Sequence, residues 1–366
     1  MNFLKCVMLC CLFAVGCSEA SKPVESDSGF PVVPAESTPE VFSLAISEYP
    51  SWSVFAVASE NGLINGEVGK QGTVEKKWGV DIKLIVADYD TCLTLFGSRT
   101  ADAACLTSLD SLAPSIGCPA TVILPTSTSV GADACIVSTA SDPRKLADLT
   151  VVQETTTYGL EKSVSQYVFE RCLQLKGKNV ADFKFSNMDP AAAAQAVQTN
   201  QANINSIMVW NPFVLQTLRT RTDSQVAFSS ESIPEEIIDC VVASKASLKK
   251  NKGTEFACAV AETFYEMNKL LDNPETADAT LVAVGAKFSN LGLEDMKIVK
   301  KQTQFYNTPD SALALIRSEK LKNETNPLLV EFCKRHEILS QDVKIGFTNS
   351  DDDNLSFTDE YILKVK

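Results

Sequence analysis

One feature constrains this chain most: from residue 41 to residue 124, apolar β-branched runs alternate with helix-forming segments. Residues 41–46, VFSLAI, read as a strand. EYPSW then reads as a loop, leading into an apolar helix at 54–59. Residues 70–78 read as the tail of a second helical segment, and GVDIKLIV as a second strand. A helix at 91–97, a strand near 101–106, a helix opening at 108–113 and a strand at 121–124 continue the order. Strands joined by helices predict a mostly parallel sheet covered on both faces. Ligands of such sheets bind beyond the carboxyl ends of the strands. Those ends carry residues 47–52, 88–91, 107–110 and 126–133, all polar or aromatic.

A second set of the same class spans about residues 137–237. Residues 183–185, 204–209 and 225–228 read as strands, and 212–219 as a helix. DPAAAAQAVQTNQ reads as an Ala-rich helix capped at Asp189, with Pro190 at its first position. The stretch 148–177 is read as a strand at 149–152, a polar loop at 154–159 and a helix from Leu160. Hydroxyls and backbone N–H groups gathered at a helix N-terminus can cradle a polar or anionic molecule. The threonines Thr155, Thr156 and Thr157 would serve equally as plain helix caps.

ADACIVST and EIIDCVVASKASL, which begin at Ala132 and Glu236, share an Asp, a nearby Cys and a β-branched run ending in Ser. One such strand leaving and one returning fits two crossovers between two lobes. The lobes are then 41–135 with 239–366, and 136–238. The rest reads as helices at 254–271, 275–289, 293–301, 308–319 and 326–336, with a short strand and a partial helix at the end.

Residues 6–15 are an apolar run of signal-peptide length behind Lys5, too short to span a membrane. Ala14-Val15-Gly16-Cys17 resembles the lipobox of bacterial lipoproteins, with Ala14 in place of the usual Leu. This gives a signal peptide at 1–17 and lipid on Cys17; a plain secretory peptide is the alternative. Residues 18–40, rich in Ser, Pro and Glu, read as a flexible tether. Twelve cysteines are present, eight of them beyond Cys17 and scattered without CxxC spacing, so no metal site is expected. The net charge of −13 argues against nucleic acid, whose phosphates need a basic face.

Several stretches together resemble the substrate-binding proteins of bacterial ABC importers, in the nitrate, sulfonate and taurine group. SEYPSW is similar to that family's Trp-bearing first loop. VEKKWGVDIKLIVADYDTCLTLFGSRTADAACLTSLDSL, LADLTVVQETTTYGLEKSVSQYVFERCLQLKG and DPAAAAQAVQTNQANINSIMVWNPF resemble its later segments, and FTDEYI its C-terminal motif. The likeness spans about residues 41–365 and is nearest to members linked to urea, amide or related nitrogen compounds. Departures fall in turns: the Gly-Lys before Leu149 is missing, and Asn205 stands where an Asp is usual. The resemblance implies an α/β, two-lobed, periplasmic-binding-protein-like fold of type II with two hinge strands. It further implies an exported, periplasmic or envelope-anchored protein, without enzymatic activity or cofactor. Its partners would be a small solute, an ABC permease with its ATPase and, through the lipid, the membrane.

On that fold the strand-end loops face one another. The first lobe would offer Trp52, Tyr89, Thr107, Ser108, Asp110 and Asp133. The second would offer Thr155, Thr156, Thr157, Tyr158 and Trp210, with Asp239 on the returning crossover. Rings would supply flat walls, hydroxyls would donate, and a buried carboxylate would pair an amine or amide N–H. No Arg or Lys falls in these loops, Arg99 and Arg144 being outside them, which favours a neutral or amino-bearing solute over nitrate or a bare sulfonate. A branch of this fold makes the thiamine pyrimidine and needs a reactive histidine. The one histidine here, His336, reads as a surface residue on a C-terminal helix. A membrane-tethered sensor of the same fold is the other alternative.

Overall fold

The computed structural model describes residues 38–138 and 143–366. The expected signal segment with Cys17, and the expected tether up to residue 37, lie outside the described residues. The strands run in chain order as β1 (Glu40–Ile46), β2 (Val80–Val86), β3 (Ala103–Thr107), β4 (Ala120–Ser129), β5 (Asp133–Ser138), β6 (Thr156–Gly159), β7 (Lys184–Asn187), β8 (Ser206–Trp210), β9 (Ser224–Ser229), β10 (Ile238–Ser244), β11 (Thr303–Phe305), β12 (Ile345–Gly346) and β13 (Leu355–Phe357). They form two sheets. The first has the order β12-β13-β4-β10-β3-β1-β2, with β11 added on β4; the second has the order β7-β6-β8-β5-β9.

The alternation explains the first sheet. β1 pairs parallel with β2 and β3, so each connection must cross over through a helix. Helices then cover both faces, and β1 buries Phe42, Leu44, Ala45 and Ile46 together rather than every second residue. The ring of Phe42 stacks on Phe256 at 4.6 Å, which fixes the long helix Gly253–Asp272 against that sheet. The returning strand β10 runs antiparallel to both β3 and β4. In the second sheet β5 runs antiparallel to β8 and β9, while β6 lies parallel to β7 and β8.

The chain passes between the sheets twice. Residues 130–132 carry β4 into β5, and residues 230–237 carry β9 back to β10. The two passages lie side by side: Ser129 N–H donates to Ile237 O at 3.1 Å.

Several expectations need correction. EYPSW is not a loop, because Pro50 opens the helix Pro50–Glu60 and Trp52 sits in its first turn. The helix expected from Ser108 begins only at Leu112. Residues 126–129, expected beyond a strand, continue β4, held there by β10 and β11. The expected strand at 149–152 is a short helix, Thr150–Gln153, and the expected polar loop at 154–159 supplies β6. The two similar Asp-Cys stretches are not a pair of strands running between lobes. Each belongs wholly to one sheet, β5 to the second and β10 to the first. The eight described cysteines are all free and buried, acting as small hydrophobes.

Candidate functional site

The carboxyl ends of β1, β2 and β3 face the helix starts that follow β6, β7 and β8. A cavity of about 390 Å³ lies between them, within the range of small-molecule sites. Two clusters of rings form its apolar walls. Trp52 stacks nearly parallel on Tyr89 at 5.7 Å, and its other neighbour is Tyr49 at 4.8 Å. On the opposite side Trp210 meets Phe213 edge-on at 6.2 Å. Local chemistry places these rings. Pro50 starts a helix directly after β1, so Tyr49 and Trp52 fall at the strand end. Trp210 closes β8 just before the cis Asn211–Pro212 bond.

Three aspartates sit on this cavity, Asp133 and Asp239 buried and Asp110 half-buried, and each is held differently. Asp110 accepts from Tyr89 Oη at 2.9 Å and from Thr107 Oγ1 at 2.9 Å. Its carboxylate also lies against the Val164 N–H, at the start of the helix Val164–Leu175. Asp239, on β10, accepts from Ser127 Oγ at 2.6 Å. Asp133 opens β5; its backbone N–H lies 3.3 Å from Ser129 Oγ and 3.4 Å from Ser230 Oγ. Burial pushes the Asp110 and Asp133 carboxyls up to about 6, opposed by the hydroxyls beside them. Burial also holds Asp239 well above the usual carboxylate range, with Asp133 and Asp110 adding repulsion. The rest of the lining includes Glu48, Asp88, Asp90 and Asp189 and, among the described residues, no Lys, Arg or His.

Seven of the residues singled out from sequence line the cavity: Trp52, Tyr89, Thr107, Asp110, Asp133, Trp210 and Asp239. Ser108 does not. It is buried behind the lining, where its N–H donates to Ile238 O at 2.8 Å. Thr155, Thr156, Thr157 and Tyr158 do not line it either. Thr155 Oγ1 donates back to Val151 O at 2.9 Å, and Thr157 Oγ1 bonds Ser206 Oγ at 2.7 Å inside the second sheet. Tyr158 packs on the Ala-rich helix Pro190–Gln198. The wall expected from these four comes instead from Leu160, Ser163 and Val164, just after β6, and from Asp189, Pro190 and Ala191, just after β7. Ser163 caps its helix by accepting from Ser165 N–H at 3.1 Å. A capping serine four residues after a Thr- and Tyr-rich run was the signal for that wall.

His336 is not a plain surface residue. Its Nε2 lies 2.8 Å from Glu170 Oε1 and its ring packs on Phe332, away from the cavity.

No family model matches the chain, and no curated relative matches it. Solved structures do. The periplasmic aliphatic sulphonate-binding protein SsuA of Escherichia coli superposes with a TM-score of 0.62 at 15% identity, over 83% of this chain and 89% of its own. The alkanesulfonate-binding protein SsuA of Xanthomonas axonopodis pv. citri, bound to MOPS, gives 0.60 at 13%, over 83% and 95%. The periplasmic nitrate-binding protein NrtA of Synechocystis PCC 6803 gives 0.54 at 13%, over 82% and 86%. At these identities the likeness is one of fold, and the chain has the two-sheet α/β fold of periplasmic binding proteins.

Proposed function

We propose that this chain is the solute-binding component of an ABC importer. It captures a small, polar, nitrogen-bearing molecule in the cavity and delivers it to a permease working with its ATPase. The lobes are 41–135 with 239–366, and 136–238. The protein is exported to the periplasm or the outer envelope face and held by lipid on Cys17 at the end of a tether.

The observation that carries this reading is the cavity itself. Strand ends and helix starts of both sheets line it, and the two chain passages border it at Asp133, Ile237 and Asp239. A ligand bound there touches both sides of a natural hinge. It would favour the closed arrangement through contacts that exist only when the sides meet. Solved structures of like fold include sulfonate- and nitrate-binding proteins, which supports a binding role. The lining offers rings, hydroxyls and carboxylates, groups that can hold a polar solute by stacking and hydrogen bonds.

The test is a thermal-shift screen of the full-length chain with amides, ureas, amino acids, amines, sulfonates and pyrimidines. A true ligand at a hundred times its Kd adds about 2.7 kcal/mol of stability. If no class raises the melting temperature, the binding reading fails. With a ligand in hand, Trp210→Ala and Asp239→Asn should each weaken binding while melting stays cooperative. Unchanged affinity in both would remove this cavity as the site.

A further inference from the structure

Among the described residues, the cavity is lined by seven carboxylate side chains and by no positive one. Surface carboxylates would need no explanation, but Asp133 and Asp239 are interior, 4% and 1% exposed, and Asp110 is half-buried beside them. Buried charge is normally paired. Here the charged neighbours of all three are one another and Asp90. Protein hydroxyls hold Asp110 and Asp239, yet no cation approaches either.

A second observation concerns the tyrosine on the same wall. Tyr49 is 5% exposed and lines the same cavity; its Oη sits near Asp239 and Thr303 without a well-formed hydrogen bond to either. On the lining of one cavity, Tyr49 thus has a buried hydroxyl without a hydrogen-bond partner and Asp133 a buried carboxyl without a cation beside it among the described residues.

The anion alternative meets a specific obstacle. The helix Val164–Leu175 starts at the cavity, and its N-terminus is the natural seat for a sulfonate or nitrate oxygen. Asp110 lines the same cavity beside that seat and brings a carboxyl of its own to it. An incoming anion would have to displace a fixed protein anion held by two further hydrogen bonds. A bare metal ion fits no better. Among the described residues, no three Asp, Glu, His or Cys converge closely enough to share one. The negative charge is spread around a ring-walled volume, which suits a cation with a body.

Resting on the solute-binding reading above, we propose that the ligand is an organic cation: an ammonium or amidinium group on a compact apolar body. Asp133 and Asp239 supply the counter-charge, Asp110 closes the second-sheet side, and Tyr49, Trp52 and Trp210 pack the body. Ring faces attract cations as well as apolar groups, so both parts of such a ligand find partners on the same walls.

The test is calorimetric titration of the full-length chain with matched probes. The cations are tetramethylammonium, choline, agmatine and benzyltrimethylammonium. Neopentane-like alcohols and benzyl alcohol are the neutral counterparts, and propanesulfonate and phenylmethanesulfonate the anions. At least one cation should bind tenfold or more tightly than its neutral and anionic counterparts. Asp133→Asn and Asp239→Asn should each weaken that cation at least tenfold, with circular dichroism showing an intact fold. Tighter binding of a sulfonate or a neutral probe than of every cation overturns the cation proposal and leaves the binding reading standing. If no cation binds while the broader screen finds some other solute, the result is the same. If nothing binds in either screen, the binding reading falls as well.

Discussion

Ser129 Oγ lies 2.7 Å from Ser230 Oγ where the two chain passages between the sheets run side by side. Ser129 ends β4 and Ser230 follows β9, so one residue from each passage makes the contact. Ser230 Oγ also accepts from Gly131 N–H at 2.8 Å. Gly131 is at φ 103°, a left-handed conformation that a larger residue would resist. A buried pair of serine hydroxyls therefore stitches the two passages together, with Asp133 of the cavity two residues beyond Gly131.

Ser230→Ala should lower stability by about 1–3 kcal/mol, because it strands a buried donor at Gly131 and a buried hydroxyl at Ser129. Ser229→Ala, one residue earlier and half-buried, should change stability by no more than about 0.5 kcal/mol. Urea denaturation of the two variants beside the parent checks both. Equal midpoints for Ser230→Ala and the parent would mean the serine pair does not hold the hinge.

The alternation of strands and helices was legible in the sequence because both have clear periods. Elements 41–46, 91–97, 253–272 and 293–302 lie within a few residues of where periodicity puts them. The second-sheet wall was misread for a physical reason. Residues 149–152 are apolar because Leu149 and Val152 bury against the core from a short helix, whereas Thr156–Gly159 is polar yet central in its sheet. Periodicity favours the wrong segment there. The propensity of Thr and Tyr for strands, and the Thr157–Ser206 hydroxyl pair inside the sheet, favour the right one. The strand-end rule still led to the right side of the sheet, since Leu160 and Ser163 follow the carboxyl end of β6. For β1 and β3 the same rule brought Trp52 and Asp110 to the cavity, because those strands end close to where the sequence puts them, whereas Asp239, read from the returning crossover, lies at the amino end of β10.

Asp133→Asn should stabilise the unliganded protein in a pH-dependent way. Burial pushes the Asp133 carboxyl up to about 6, while an unfolded aspartate titrates near 3.9. Between about pH 4 and pH 6 the folded chain keeps a proton that the unfolded chain has released. The contribution of Asp133 to stability therefore falls as pH rises through that window, and stays at its lowest above it. The shift corresponds to about 2–3 kcal/mol at neutral pH. Asn carries no such penalty, so the variant should exceed the parent in unfolding free energy at pH 7.5 by one to a few kcal/mol, and match it near pH 4. Denaturant curves at both pH values decide it. A gain at pH 4 and none at pH 7.5 would reverse the sign and remove the buried-charge account. A gain in stability joined to a loss of binding is the pattern of a residue kept for its ligand.

Gly159→Ala should be costly although its backbone does not demand glycine. A Cβ there would stand 2.6 Å from Met208 O and 2.9 Å from Phe185 Cζ. β6 lies between β7 and β8, and neither can give way without breaking its ladder. Overpacking of this kind costs about 1–3 kcal/mol. Leu160, the next residue, lines the cavity, so the displaced strand end should also disturb binding. Melting temperature and the affinity of whichever ligand the screen finds should fall together. A variant with unchanged melting would show that the strands can part at little cost.

The last prediction concerns a brace far from the ligand. Glu170, on the helix Val164–Leu175, is almost wholly buried and lies 2.7 Å from Arg335 Nη2 and 2.8 Å from His336 Nε2. Gln166 Nε2 donates to the same carboxylate at 3.0 Å. Arg335 ends the helix Asn326–Arg335, so the cluster fastens a second-sheet helix to the C-terminal helices. Arg335 is half-exposed, which screens its share; hydrogen bonds to the charged carboxylate still leave a cost of about 1–3 kcal/mol for Glu170→Ala. Glu170→Gln keeps the shape and one acceptor and should cost less. Because His336 is the only histidine in the chain, its ring signals in a proton NMR spectrum report on this contact alone. Glu170→Ala should move them, while Asp133→Asn should leave them in place. A Glu170→Ala protein with the parent's stability and unmoved histidine signals would mean that the cluster is an idle surface contact.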